Sequence, residues 1–161
     1  MERRTGLVVT LKGDVMISDK IRDILNEQIN KEFYSAYLYL SMSAYFSEIG
    51  LYGFSNWAKV QSKEEIDHGM ILFEYVLGRN SQIHLAQISM PNFDMNSPLE
   101  VFEQIYQHER SITSAIDCVA NMSEGECDLS TRNFIDWYLK EQIEEEASVS
   151  RIIAKLKAFG A

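Results

Sequence analysis

Glu65-Ile66-Asp67-His68 decides how the rest of the chain is read. A Glu and a His three residues apart lie on one face of an α-helix, one turn from each other. Carboxylate and imidazole together suit a transition metal such as iron or zinc. Alone the pair is weak, because exposed helices carry it by chance. Three other helical stretches each set a carboxylate in the middle of an apolar stripe, at a comparable height, and that repetition gives the pair its weight.

The pair sits in a stretch, 51–77, whose stripe is Phe54, Ala58, Gln61, Glu65, His68, Leu72 and Tyr75, stopped by Gly78. Upstream, Ser18 is a good N-cap for a helix reaching Glu48, with Leu25, Ile29, Glu32, Ala36, Tyr39, Ser43 and Phe46 on one face. Downstream, Ser97-Pro98-Leu99-Glu100 is a capping box with Pro at the first helical position. It opens a helix ending near Met122 whose stripe is Phe102, Ile105, Glu109, Ile112, Ile116 and Val119. A last helix, from Asp128 to Phe159, carries Ile135, Tyr138, Gln142, Glu145, Val149, Ile152 and Leu156. Steps of three and four mark helices that pack in a bundle.

Residues 79–96, with Pro91, show no periodicity. At about 3.3 Å per residue such a link stretches to about 60 Å, whereas a helix of about 27 residues is about 40 Å long. It can traverse the bundle, making the second and third helices parallel. The expected fold is therefore all-α, a four-helix bundle with one long crossover. Residues 1–15 match no helical pattern. Leu7 to Leu11 is weakly strand-like and Gly13-Asp14 breaks it, so the reading is an extension at 1–15 and one domain at 16–161.

Composition bounds the function. The 161 residues, 46% hydrophobic, suffice for one core, and the net charge of −9 argues against a nucleic-acid surface and suits a protein that attracts cations. No run is long and apolar enough to span a bilayer. The two cysteines, Cys118 and Cys127, have no metal spacing and suggest a reducing compartment. The chain reads as cytoplasmic.

The interruptions Glu32, Glu65/His68, Glu109 and Gln142/Glu145 lie about twelve to seventeen residues from a helix start, roughly 18 to 26 Å along the axis. They meet at one level whichever way each helix runs. Four buried carboxylates cannot all stay ionised side by side without compensation. Two divalent cations resolve the conflict, with Glu65 or Glu109 able to bridge them. The bland alternative is a polar layer that fixes helix register. Oxygen-rich ligands with one imidazole fit Fe²⁺ or Mn²⁺, with Zn²⁺ as competitor. A stable di-iron catalyst is expected to repeat E-x-x-H on the fourth helix. Here Gln142-Ile-Glu-Glu145 stands instead, which leaves one iron position harder and more weakly held, as suits iron that passes through.

Asn26-Glu-Gln-Ile-Asn-Lys-Glu-Phe-Tyr-Ser35, Lys63-Glu-Glu-Ile-Asp-His68, His108-Glu109 and Glu141-Gln-Ile-Glu-Glu-Glu146 resemble the four helices of prokaryotic non-haem ferritins, in order and with matching intervals over residues 16–158. The resemblance implies a ferroxidase that oxidises Fe²⁺ with dioxygen or peroxide and stores ferric mineral in a homo-oligomeric shell of twenty-four subunits. It implies one iron on Glu32, Glu65 and His68, and a second on Glu65 and Glu109 with Glu145 nearby and Gln142 beside the oxygen position. Glu64, Glu141 and Glu144 resemble a third, transit iron site; a solvated acidic face is the alternative. Tyr39 resembles the family tyrosine that hydrogen-bonds at the site and can donate an electron, and Trp137 has a family counterpart with weaker support. The short fifth helix of many ferritins has no counterpart in this sequence, and Met16 matches the usual family start.

Other residues read more plainly. His108 reads as a helix-surface residue, His84 as a loop residue and Cys118 as core; Glu124, Glu126 and Asp128 read as a pore that admits iron or as an acidic turn. Bacterioferritin-like and rubrerythrin-like readings lack the second E-x-x-H, and Ile66 stands where a haem-binding Met would, so no haem is expected. Arg3-Arg4 is a poor basic tail for the small DNA-protecting relatives. A non-storage di-iron oxidase or peroxidase is the alternative, and a metal-free helical scaffold the more distant one.

Overall fold

In the computed structural model, residues 16–92 and 96–160 are described; the strand-like stretch at 7–11 lies outside them. Four helices account for the architecture: α1 Asp19–Glu48, α2 Tyr52–Gly78, α3 Pro98–Gly125 and α4 Leu129–Phe159. Among the described residues there is no strand, no fifth helix, and no helix long and apolar enough to cross a membrane. The two caps expected from the sequence are made, and Asp128 supplies a third. Ser18 Oγ accepts from the Ile21 amide, Ser97 Oγ from Glu100, and the Asp128 carboxylate from Thr131.

One boundary differs from expectation. α3 runs past Met122 to Gly125. Ser123 is fully buried and its hydroxyl donates to Val119 O at 2.7 Å, so the residue that looked like the start of a turn is held inside the helix. The chain turns only at Cys127, in the left-handed region at φ 58°.

α1 and α2 run antiparallel: Ser43 Oγ donates to Ser55 O at 2.9 Å and Ser62 Oγ to Ala36 O at 2.8 Å. α3 and α4 form the second antiparallel hairpin, tied at one end by Lys157 to Glu103 at 2.7 Å. α3 also runs antiparallel to α1, with Phe46 on Phe102 and Tyr39 on Glu109, so α2 and α3 are parallel and the link traverses the bundle. Two asparagines of α1 guide it. The Asn26 side chain donates to Gln82 O and accepts from the His84 amide; Asn30 donates to His84 O and accepts from the Ala86 amide. Four helical residues rise about 6 Å and two extended residues about 6.6 Å, so the two amides meet alternate residues of the link as a neighbouring strand would.

The core is divided. One apolar cluster holds Leu25, Ile29, Leu72, Val76, Ile112, Ile116, Ile135 and Tyr138; the other holds Leu38, Phe46, Ala58, Phe102, Ile105 and Val149. Every helix passes from one cluster to the other, and the crossing point carries its polar residues. On α1 this is Glu32, on α2 Glu65 and His68, on α3 Glu109, on α4 Gln142 and Glu145. The apolar clusters above and below supply the burial that holds this layer together.

Candidate metal centre

The polar layer resolves into two overlapping groups. Glu32, Glu65 and His68 each bring a ligand atom within 4.8 Å of the others, and so do Glu65, Glu109 and Glu145. Glu65 belongs to both groups, Glu109 to one. His68 Nδ1 stands 3.7 Å from Glu65 Oε2 and 3.9 Å from Glu145 Oε1, too far for hydrogen bonds. Glu32 Oε2, His68 Nδ1 and Glu145 Oε2 are buried without a hydrogen-bond partner. Each such orphan costs about 1–3 kcal/mol, and two carboxylate oxygens with an imidazole nitrogen are a donor set that suits a divalent transition metal.

The electrostatics agree. Burial pushes the Glu32 carboxyl up from its ordinary range. It lifts Glu65 well above that range, helped by the charges of Glu32, Glu109 and Glu145. Glu145 is pushed up to about 10, by burial first and by Glu109 next. Burial lowers His68, which keeps the imidazole neutral and able to ligate. Raised carboxyls of this kind hold protons that a bound divalent cation would displace.

Local packing places these groups. Gly69 follows His68, and a Cβ there would come 2.9 Å from Phe33 Cε1 and 3.3 Å from Glu32 Cβ. The glycine lets α1 and α2 close together where Glu32 meets Glu65. Gln28, one turn before Glu32, donates to its Oε1 through a short hydrogen bond. Tyr39 donates to Glu109 Oε1 at 2.5 Å, as the expected tyrosine contact requires. The Gln142 amide lies 3.3 Å from Glu109 O and 3.4 Å from Glu109 Oε2.

Residues that sequence reasoning passed over also face this layer. Tyr138 was visible only as a stripe residue. Its ring lies 5.1 Å from the His68 ring, and its hydroxyl is buried without a partner. Burial and the charges of Glu32 and Glu65 raise its pKa well above the usual phenol range. The signal was its place one turn before Gln142. Trp137, which the resemblance had already brought in, stacks on Tyr138 at 4.7 Å and lies 5.6 Å from His68. Gly69 was marked only by being a glycine inside a helix.

Glu64, Glu141 and Glu144 are exposed and gather at a 270 Å³ cavity also lined by Tyr39, His68, Glu145 and Arg151. The three flanking acids therefore share a vestibule with residues of the two groups. Two expectations are corrected. His108 is half-buried rather than on the surface: its Nε2 lies 2.8 Å from Ser35 Oγ, because α1 packs against this face of α3. Cys118 is exposed rather than core, since the buried turn of α3 runs through Ile116 and Val119. His84 lies in the crossover, as expected. At the α3–α4 corner Glu126 pairs with Lys20 at 2.8 Å and Asp128 with Arg79 at 3.1 Å.

Comparison with known proteins follows the same lines. Residues 22–159 match the family model described as Ferritin: Ferritin-like domain. A protein of Campylobacter jejuni named bacterial non-heme ferritin is 40% identical over 145 residues, covering 90% of this chain and 87% of the relative. A Bacteroides fragilis protein of the same name is 38% identical, covering 90% and 91%. Among solved structures, an open pore ferritin from the hyperthermophilic archaeon Archaeoglobus fulgidus superposes with a TM-score of 0.88 at 47% identity, covering 89% of this chain and 88% of the other. With the family model spanning most of the chain and these relatives matching along nine-tenths of it, the chain belongs to the ferritin family.

Proposed function

We propose that this chain takes up Fe²⁺ at two neighbouring positions, oxidises it with dioxygen or peroxide, and stores the ferric product inside a shell of twenty-four copies. Iron is the substrate and cargo. The observation that carries the reading is the pair of three-donor groups sharing Glu65, lined by orphaned buried oxygens and an orphaned imidazole nitrogen. One position takes Glu32, Glu65 and His68. The other takes Glu65, Glu109 and Glu145, with Gln142 beside it. Two irons held together deliver electrons in pairs, which is what a two-electron oxidant needs.

The surrounding residues have roles of their own. Tyr39, hydrogen-bonded to Glu109, orients that carboxylate and stands ready to supply an electron. Gln28 orients Glu32. Glu64, Glu141 and Glu144 form a third position through which iron leaves the pair. The absence of a second E-x-x-H favours passage of iron over permanent residence, and hence storage over a fixed catalytic pair. Residues 16–161 carry this activity, with 1–15 as an extension, in the cytoplasm and without haem.

The test is anaerobic Fe²⁺ titration followed by aerobic loading and size-exclusion chromatography with light scattering. Two Fe²⁺ bound per subunit, and a large particle that carries the ferric product through the column, are expected. A monomer or dimer that oxidises iron without retaining it would replace storage by the non-storage oxidase reading. No binding at micromolar metal would leave a helical scaffold.

A further inference from the structure

Thr113 lies one turn after Glu109 on α3, and Glu146 follows Glu145 on α4; neither belongs to the two donor groups. Thr113 Oγ1 is 2.6 Å from Glu146 Oε1 and 3.1 Å from Glu109 O. A threonine hydroxyl has one hydrogen to give, and the shorter contact, to a carboxylate, takes it. The Thr113 oxygen is left able only to accept. Gln142 Nε2 stands 3.3 Å from that oxygen, 3.3 Å from Glu109 O and 3.4 Å from Glu109 Oε2.

Every neighbour of that end of the amide is therefore an acceptor. The end must be the NH₂ group, because the opposite flip would set a carbonyl oxygen against three oxygens. The other end, Gln142 Oε1, is left buried and without a partner, an orphan like Glu32 Oε2, His68 Nδ1 and Glu145 Oε2. Glu146 thus reinforces this orientation from outside the centre. Were its oxygen removed, the Thr113 hydrogen would turn to Glu109 O, 3.1 Å away, and compete with the Gln142 amide for that carbonyl.

We propose that Thr113 and Glu146 are positioning residues for the Glu65/Glu109/Glu145 position. They lock the Gln142 amide so that its NH₂ steadies Glu109 and its Oε1 is presented as a neutral oxygen donor to the metal. This rests on the two-position centre and deepens it. The position without imidazole acquires a fourth oxygen, which suits a hard divalent cation, and its hold is set by a hydrogen-bond pair outside the ligand set.

The test is anaerobic titration with Co²⁺, whose visible absorption reports the ligands of each ion, on wild type, Thr113→Val, Thr113→Ser and Glu146→Ala. Wild type should bind two ions in two steps. Thr113→Val and Glu146→Ala should weaken the second step by about tenfold or more and alter the spectrum of the second ion, leaving the first step unchanged; Thr113→Ser should retain both. Glu146 is half-exposed, so its variant reports even if Thr113→Val folds poorly. If both variants bind the second ion as wild type does, the positioning role is wrong while the two-position centre stands. Equal weakening of both steps would make the pair a packing contact and overturn the proposal. A wild type that binds no pair of ions would overturn the centre and the proposal together.

Discussion

The two donor groups share Glu65 but are built differently. Glu32, Glu65 and His68 are all buried, come from the α1–α2 hairpin, and include the nitrogen ligand. Glu65, Glu109 and Glu145 come from three helices, offer only carboxylates, and include the half-buried Glu145 beside the open vestibule. The first group is fixed by close approach at Gly69 and by a local hydrogen bond from Gln28. The second depends on how α3 and α4 are registered against α2. The proposed centre, built this way, is expected to hold one iron more firmly than the other and to let the weaker one move toward the acids at the mouth.

The comparison breaks most completely at the shared residue. Glu65→Ala removes a ligand from both groups. In wild type, anaerobic Zn²⁺ at a hundredfold excess over Kd should raise the melting temperature by about 5–10 °C; in Glu65→Ala the rise should nearly vanish. An equal rise in both proteins would place the metal elsewhere. Next come variants that strike one group each. His68→Ala should abolish the first fast phase of Fe²⁺ oxidation in stopped flow, because the pair is no longer assembled. Glu145→Ala should keep the first metal and weaken the second by about tenfold or more. Identical titration curves for these two variants would mean the groups are not distinct.

Protonation offers a gentler probe. Glu32, Glu65 and Glu145 have folded-state pKa values raised by burial, Glu145 to about 10. Above the ordinary carboxylate range the folded metal-free chain holds protons that the unfolded chain has lost. Stability therefore falls as pH rises through the folded values. Burial lowers His68 and His108 from 6.5, which favours the folded state as pH rises toward 6.5 and then adds no further slope. From pH 6.5 to 8 the metal-free melting temperature should fall by a few degrees, while the Zn²⁺ form, whose metal replaces those protons, should stay nearly level. A metal-free protein that gains stability across this interval would show the layer to be ionised and paired in some other way.

The helices, their caps and the level of the polar layer were legible because each rests on local rules: spacing on one face, a capping hydroxyl, a glycine stop. So was the meeting of Glu32, Glu65, His68 and Glu109 in one layer, since carboxylates repeated inside the apolar stripes of four helices mark a common level. What stayed hidden depends on contacts between helices. Tyr138 reads as an ordinary core aromatic until His68 is set beside it. His108 reads as surface until Ser35 of α1 covers it, and Cys118 reads as core by its apolar surroundings in sequence although it faces outward. The asparagine ladder that guides the crossover pairs residues more than fifty positions apart, beyond any periodicity.

The smallest expected effect sharpens the comparison at its outer edge. Glu144 is exposed and opens onto the same vestibule as Glu145 and His68, yet it belongs to neither donor group. The third position proposed there is expected to act after the paired step, receiving iron that leaves the weaker site. Glu144→Ala should therefore leave the first fast oxidation near the wild-type rate. It should change the ratio of iron to oxygen consumed, or slow recovery before a second addition, because departing iron has lost a carboxylate on its way out. The measurement is absorbance of the ferric product in stopped flow after two successive additions of Fe²⁺, each matching the two positions of the pair. A Glu144→Ala protein whose first phase is slowed as much as that of His68→Ala would erase the boundary between pair and vestibule. One that recovers as fast as wild type would make the flanking acids a solvated surface, leaving iron another path out of the weaker site.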